Sequence, residues 1–168
     1  MPVKVDLSGV MAGLDKLASP KFRESLARSM AVAGGKVYRD EAKRWVPVES
    51  GRLKAAIYLA YRDDESRGGK HKYRVSWNSS HLGGAPHGHL VEFGHWQTYA
   101  IYRLPNGDWV TDPGRPLAQP KWIAAKPFMR PAWDIARGAA QAAMIERGRE
   151  RFAELLREQY TPADAEFV

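Results

Sequence analysis

The chain has no cysteine among its 168 residues. Disulfides, thiolate metal sites and cysteine nucleophiles are therefore excluded. No apolar run approaches the roughly 18 residues of a membrane-spanning helix. The opening residues, Met-Pro-Val-Lys-Val-Asp-Leu, lack the apolar core of a signal peptide, so export by that route is not expected. A Gly-x-Ser-x-Gly elbow is missing, and Ser50 in Glu49-Ser50-Gly51 has no strand, turn and helix around it. Gly68-Gly69-Lys70 lacks the leading glycine and the trailing Ser or Thr of a phosphate loop. There is no internal repeat and no low-complexity tract.

What is present is ordinary for a folded protein: 44% hydrophobic and 27% charged residues. The length fits one domain, 1–168, with a first helix inside 1–18 and a short acidic tail at 161–168. The tail is expected to order only in an assembly. The net charge is +7. Because the basic residues are spread along the chain, the plainer reading is a solvated basic surface. The sharper one is contact with DNA or with an acidic partner.

Periodicity predicts a helix near Leu7–Leu17, then a long one from Pro20 to about Trp45, with Ser19 as its cap. Phe22, Leu26, Met30, Ala33, Val37 and Trp45 form its apolar stripe. Gly34-Gly35 in its middle implies either a kink or a close neighbouring backbone. Pro47 ends it, and a short turn of helix follows from Ser50 to about Ala56. Ile57–Arg62 and His71–Asn78 alternate as two strands around a polar loop, residues 63–70. His89–Phe93 reads as one helical turn stopped by Gly94. Gln97–Tyr102 and Trp109–Thr111 read as strands about the Asn106-Gly107 turn. Asp112–Lys126, with Pro113, Pro116 and Pro120, reads as a loop that forms an extended strap. The last helix is expected from Pro131 to about Tyr160. The sum is an α+β fold: an antiparallel sheet of about four strands packed by a long N-terminal and a long C-terminal helix.

The histidines invite a metal site. His81, His87, His89 and His95 lie close in sequence with Glu92 among them. His87-Gly88-His89 sits in a loop context, however, and the inverted zinc-protease pattern fails because position 93 is Phe. No catalytic residue, metal or cofactor is therefore assigned, and the chain is not expected to be an enzyme. A basic hairpin is the other candidate: Arg62, Arg67, Lys70, Lys72 and Arg74 interleave with Tyr61, Tyr73 and Trp77. Asp63, Asp64 and Glu65 in the same loop weigh against it.

Three motifs in order carry a family resemblance: Val46-Pro-Val-Glu-Ser-Gly-Arg-Leu53, His89-Leu-Val-Glu-Phe-Gly94 and Lys126-Pro-Phe-Met-Arg-Pro-Ala132, flanked by long helices. Together they resemble the tail-component family of long-tailed bacteriophages, the tail completion or neck proteins, over about Phe22–Tyr160. In place of the small residue or threonine usual there after Glu-Phe-Gly, this chain has His95-Trp96. The resemblance implies a structural virion protein, assembled in the host cytoplasm, with no membrane partner. It implies a homo-oligomer, a six-fold ring at the neck, between head-completion proteins and the tail terminator, with non-specific contact to genomic DNA in its lumen. The tail terminator position is one alternative, and a basic nucleic-acid-binding module is another. Interface candidates are Glu92, Phe93, Trp96, Trp109, Phe128 and Trp133, packing the sheet to a neighbour or to the last helix. Phe93 and Phe128 are expected in the core. Arg67, Lys70, Arg115 and Lys121 are candidates for loop contacts to adjacent rings.

Overall fold

The computed structural model describes residue 15 and residues 19–67, 70–81, 83–105 and 109–159. The expected first helix, the Asn106-Gly107 turn and the acidic tail lie outside the described residues. The elements in chain order are α1 (Pro20–Trp45), α2 (Arg52–Ala56), β1 (Ile57–Tyr61), β2 (Tyr73–Trp77), α3 (Gly88–Phe93), β3 (His95–Arg103), β4 (Trp109–Ile123) and α4 (Met129–Gln159). This is the expected α+β composition. The four strands, however, form two separate two-stranded sheets, β1–β2 and β3–β4.

The chain divides into two compact units. One is built from the segment ending at Val37, from Ala60–Arg74 and from the segment beginning at Gly138. In it, α1 is capped as predicted: the Ser19 hydroxyl accepts the Phe22 amide at 3.2 Å. The mid-helix glycines do not interrupt α1, which is continuous for 26 residues. They admit a close neighbour: a Cβ at Gly34 would collide with Met144, and one at Gly148 would press tightly on Met30. Each helix thus offers a glycine to the other's methionine, and the pairings run antiparallel. Phe22 meets Phe152 edge-on at 5.6 Å. On α4, Arg147 and Arg151 grip Glu154 at 2.7 and 2.8 Å, and Arg151 also donates to the Ser25 hydroxyl of α1 at 3.1 Å. Hydrogen bonds from these two arginines pull the Glu154 carboxyl down to about 2.

The other unit comprises Tyr38–Leu59 and Val75–Arg137. Its core is Ala42, Val46, Leu53, Ile57, Ala85, Phe128 and Ala132. Phe128 is fully buried, with the Trp77 ring 5.7 Å away. Trp45, expected on the buried stripe of α1, lies instead at the helix end, 48% exposed, and donates its indole N–H to Glu41 at 3.0 Å.

The β1–β2 pairing is antiparallel: the Arg62 amide donates to the Lys72 carbonyl, and that of Asn78 to the Ala56 carbonyl. The largest departure from expectation is β4. The predicted strap is a 15-residue strand, Trp109–Ile123, paired antiparallel with β3 from Arg103↔Trp109 to His95↔Ile123. Its prolines are tolerated because the ladder shifts register beside Pro116, which faces Tyr99. A strand with one free edge loses little by lacking amide donors there.

Gly94 joins α3 to this ribbon at φ 73, ψ 169, a conformation open essentially to glycine alone. A Cβ there would also crowd the Ile123 carbonyl and the Ala125 amide. Gly94→Ala is expected to lower stability by about 2–3 kcal/mol, read from the midpoint of a urea unfolding curve. A change below about 0.5 kcal/mol would contradict the strained joint.

Candidate interface surface

Two features of the second unit define the site: a buried joint and a bare ribbon. The joint begins with what the last helix lacks. The residues before Met129 are Ala125-Lys126-Pro127-Phe128, with no Ser, Thr, Asp or Asn to cap it, and its first turn holds no acid. The missing cap comes from Glu92 on α3. Its carboxylate accepts the amides of Phe128 at 2.7 Å, Met129 at 2.9 Å and Arg130 at 3.3 Å, plus Arg130 Nε at 3.1 Å. Arg130 also donates to the Glu92 carbonyl at 3.1 Å. These are the orphan donors of a helix start, and the helix dipole favours an anion there. Burial pushes the Glu92 carboxyl upward. The Met129 and Phe128 amides and Arg130 together outweigh it, and the group is held below its ordinary value. The Lys126 amide adds a bond to the Val91 carbonyl at 2.8 Å.

Glu92 is 2% exposed, so its carboxylate is committed inside the subunit. Phe93, expected in the core, is 60% exposed. The two follow each other on one helical turn, about 100° apart, so turning Glu92 inward turns Phe93 out. The Arg130 guanidinium lies 5.2 Å from the Phe93 ring. Trp133 is 54% exposed yet stacks on Tyr38 at 4.4 Å.

The ribbon is the second feature. Trp96 (62% exposed) faces Trp122 across the strands, edge to face at 5.4 Å. Tyr99, Ile101, Tyr102 and Trp109 are exposed further along. Trp109 is tied back by its indole N–H to Glu49 at 3.0 Å, with Arg103 5.8 Å from its ring. Arg115 and Lys121 are exposed on β4. Arg67 and Lys70 belong to the other unit, in its β1–β2 loop.

The structure therefore brings Glu92 and Phe128 together in the joint, with Phe93 on its outer side, and places Trp96 and Trp109 on the ribbon. Sequence reasoning missed that the second and third motifs are two halves of one contact. The signal was the capless start of α4. Nothing in a proline-rich segment announced Trp122 as a cross-strand partner for Trp96. Among the described residues, no group of three or more His, Cys, Asp or Glu is placed to hold a metal ion. None of their helices is long and apolar enough to cross a membrane.

The second unit thus combines a buried structural carboxylate with an exposed aromatic ribbon. The model of the HK97-gp10-like family of bacteriophage tail components matches residues 9–94, just over half of the chain. The protein belongs to that family, and as a phage tail component it is a structural protein of the virion. No curated protein and no solved structure matches the chain.

Proposed function

We infer that this protein is a tail completion component of the phage neck, one of six copies in a ring joining head-completion proteins to the tail terminator. The observation that carries this reading is the β3–β4 ribbon. Trp96, Tyr99, Ile101, Tyr102, Trp109 and Trp122 are each at least 40% exposed on it. Aromatic residues are enriched in interface cores, and a two-stranded ribbon with bare aromatics gains stability when covered. The strands also differ in readiness to pair. Three prolines and the displaced register interrupt β4, whereas β3 has no proline and no charge between its terminal His95 and Arg103. The open β3 edge suits strand addition by a neighbour. Exposed Phe93 and Trp133 extend the apolar surface of this unit.

Deleting the gene and viewing the lysate by negative-stain electron microscopy tests the reading. Filled heads beside detached tails of normal length are expected. Overlong tails would assign the protein to the terminator position instead. Intact infectious particles would overturn both.

A further inference from the structure

The β1–β2 loop carries its charges unevenly, and ion pairing sorts them. Asp64 holds Arg62 at 2.6 Å. Glu65 holds Arg62 at 3.3 Å, Arg74 at 2.9 Å and Lys72 at 3.4 Å. Three of the five basic residues are thereby engaged by the two carboxylates. Arg67 and Lys70 enter no ion pair among the described residues, and both are exposed. The Lys70 amide donates to the Arg67 carbonyl at 3.1 Å. The loop is stapled further back by Ser66, whose hydroxyl donates to the Arg62 carbonyl at 2.5 Å and accepts the Lys72 amide at 3.0 Å.

These two cations line a cavity of about 580 Å³ together with Arg23, Tyr61 and His71. Arg23 comes from the first turn of α1 and is also exposed and without an ion pair among the described residues. The acid in the lining, Glu24, is engaged by Arg28 at 3.4 Å, and Arg28 sits 4.6 Å over the Tyr61 ring. Helix and loop thus bring three uncompensated cations to one concave surface of the first unit.

We propose that this cleft is a phosphate-binding site for the backbone of duplex DNA, engaged without regard to sequence. Arginine forks match phosphate oxygens in pairs, and Lys70 adds a point charge. Tyr61 and His71, their rings tilted by 33° to each other, complete the lining beside the cations. The cleft offers charge but little apolar anchorage, since Pro20, Ala27 and Tyr61 are its main apolar lining. A phosphodiester backbone is matched by the charges and forks alone, at the regular spacing that a duplex repeats. The site is independent of the neck assignment.

The test is fluorescence anisotropy of the full chain with a labelled mixed-sequence duplex of about 20 base pairs, titrated at about 50 to 200 mM NaCl. The parent is expected to bind with a steep salt dependence. Arg23→Gln/Arg67→Gln/Lys70→Gln is expected to bind roughly 10-fold or more weakly at the low-salt end, with the slope of log K against log salt shallower by about 2–3. Arg115→Gln/Lys121→Gln, on the ribbon, should bind as the parent does. All five side chains are exposed, so unchanged melting temperatures are expected, and the single Arg67→Gln serves if the triple variant melts early. No duplex binding by the parent, parent-like binding by the triple variant, or loss of binding in the ribbon variant overturns the proposal. So does polyglutamate binding that displaces the duplex at matched ionic strength and depends on the same three residues, which would make the cleft a seat for an acidic protein.

Discussion

Glu92→Ala is expected to be the most destabilising single substitution at the joint, by about 3 kcal/mol. A lost helix cap accounts for roughly 1–2 kcal/mol. Buried donors left without a partner account for about 1–3 kcal/mol more. The Phe128 amide is the clearest case, in a fully buried residue 2.7 Å from the carboxylate. Glu92→Gln keeps one acceptor oxygen but loses the charge, and about half that effect is expected. Denaturant unfolding followed by circular dichroism checks both. A loss under about 1 kcal/mol for Glu92→Ala would show that α4 does not depend on this cap.

The same joint gives stability a pH dependence. The folded Glu92 carboxyl lies below its ordinary value, so the folded state favours the ionised form. Its contribution is complete above the unfolded carboxylate pKa and is lost as pH falls from there through the lower folded value. Parent stability should therefore fall with acidification in that window. In the Glu92→Gln variant the fall should be smaller. Equal pH profiles for the two chains would rule out Glu92 as a source of the acid sensitivity.

The ribbon has the opposite profile: little stake in the subunit and much in the assembly. Trp96→Ser with Tyr102→Ser removes two exposed rings, 62% and 48% accessible, and should change subunit unfolding by no more than about 1 kcal/mol. Buried aromatic anchors in interfaces contribute about 2 kcal/mol each. Losing two should weaken association by roughly a thousandfold. Sedimentation velocity should show the parent as an oligomer and the variant as a monomer. In a complementation assay the variant should leave heads and tails unjoined. An unchanged oligomer and titre would mean that the ribbon faces solvent in the virion.

Much of this was legible along the chain because it is local. Ser19-Pro20 set the start of α1, Pro47 followed its end, and Gly34-Gly35 marked a close approach, since each depends on a few neighbouring residues. The alternation in Tyr73-Arg-Val-Ser-Trp77 gave β2 for the same reason. The three motifs in their order pointed to the tail-component family. What the sequence could not decide is what depends on partners far apart in it. Prolines argued against a strand at Asp112–Lys126, and the pairing of β4 with β3 overrode them because the register bends around Pro116. One-residue phase decided that Glu92 turns inward and Phe93 outward, and the direction was fixed by the capless end of a helix 36 residues on. Which loop cations are free was likewise settled only when Glu65 reached Lys72 and Arg74 across the hairpin. Local propensity specifies where elements begin and end. Long-range hydrogen bonds and ion pairs decide which side chains remain available for assembly.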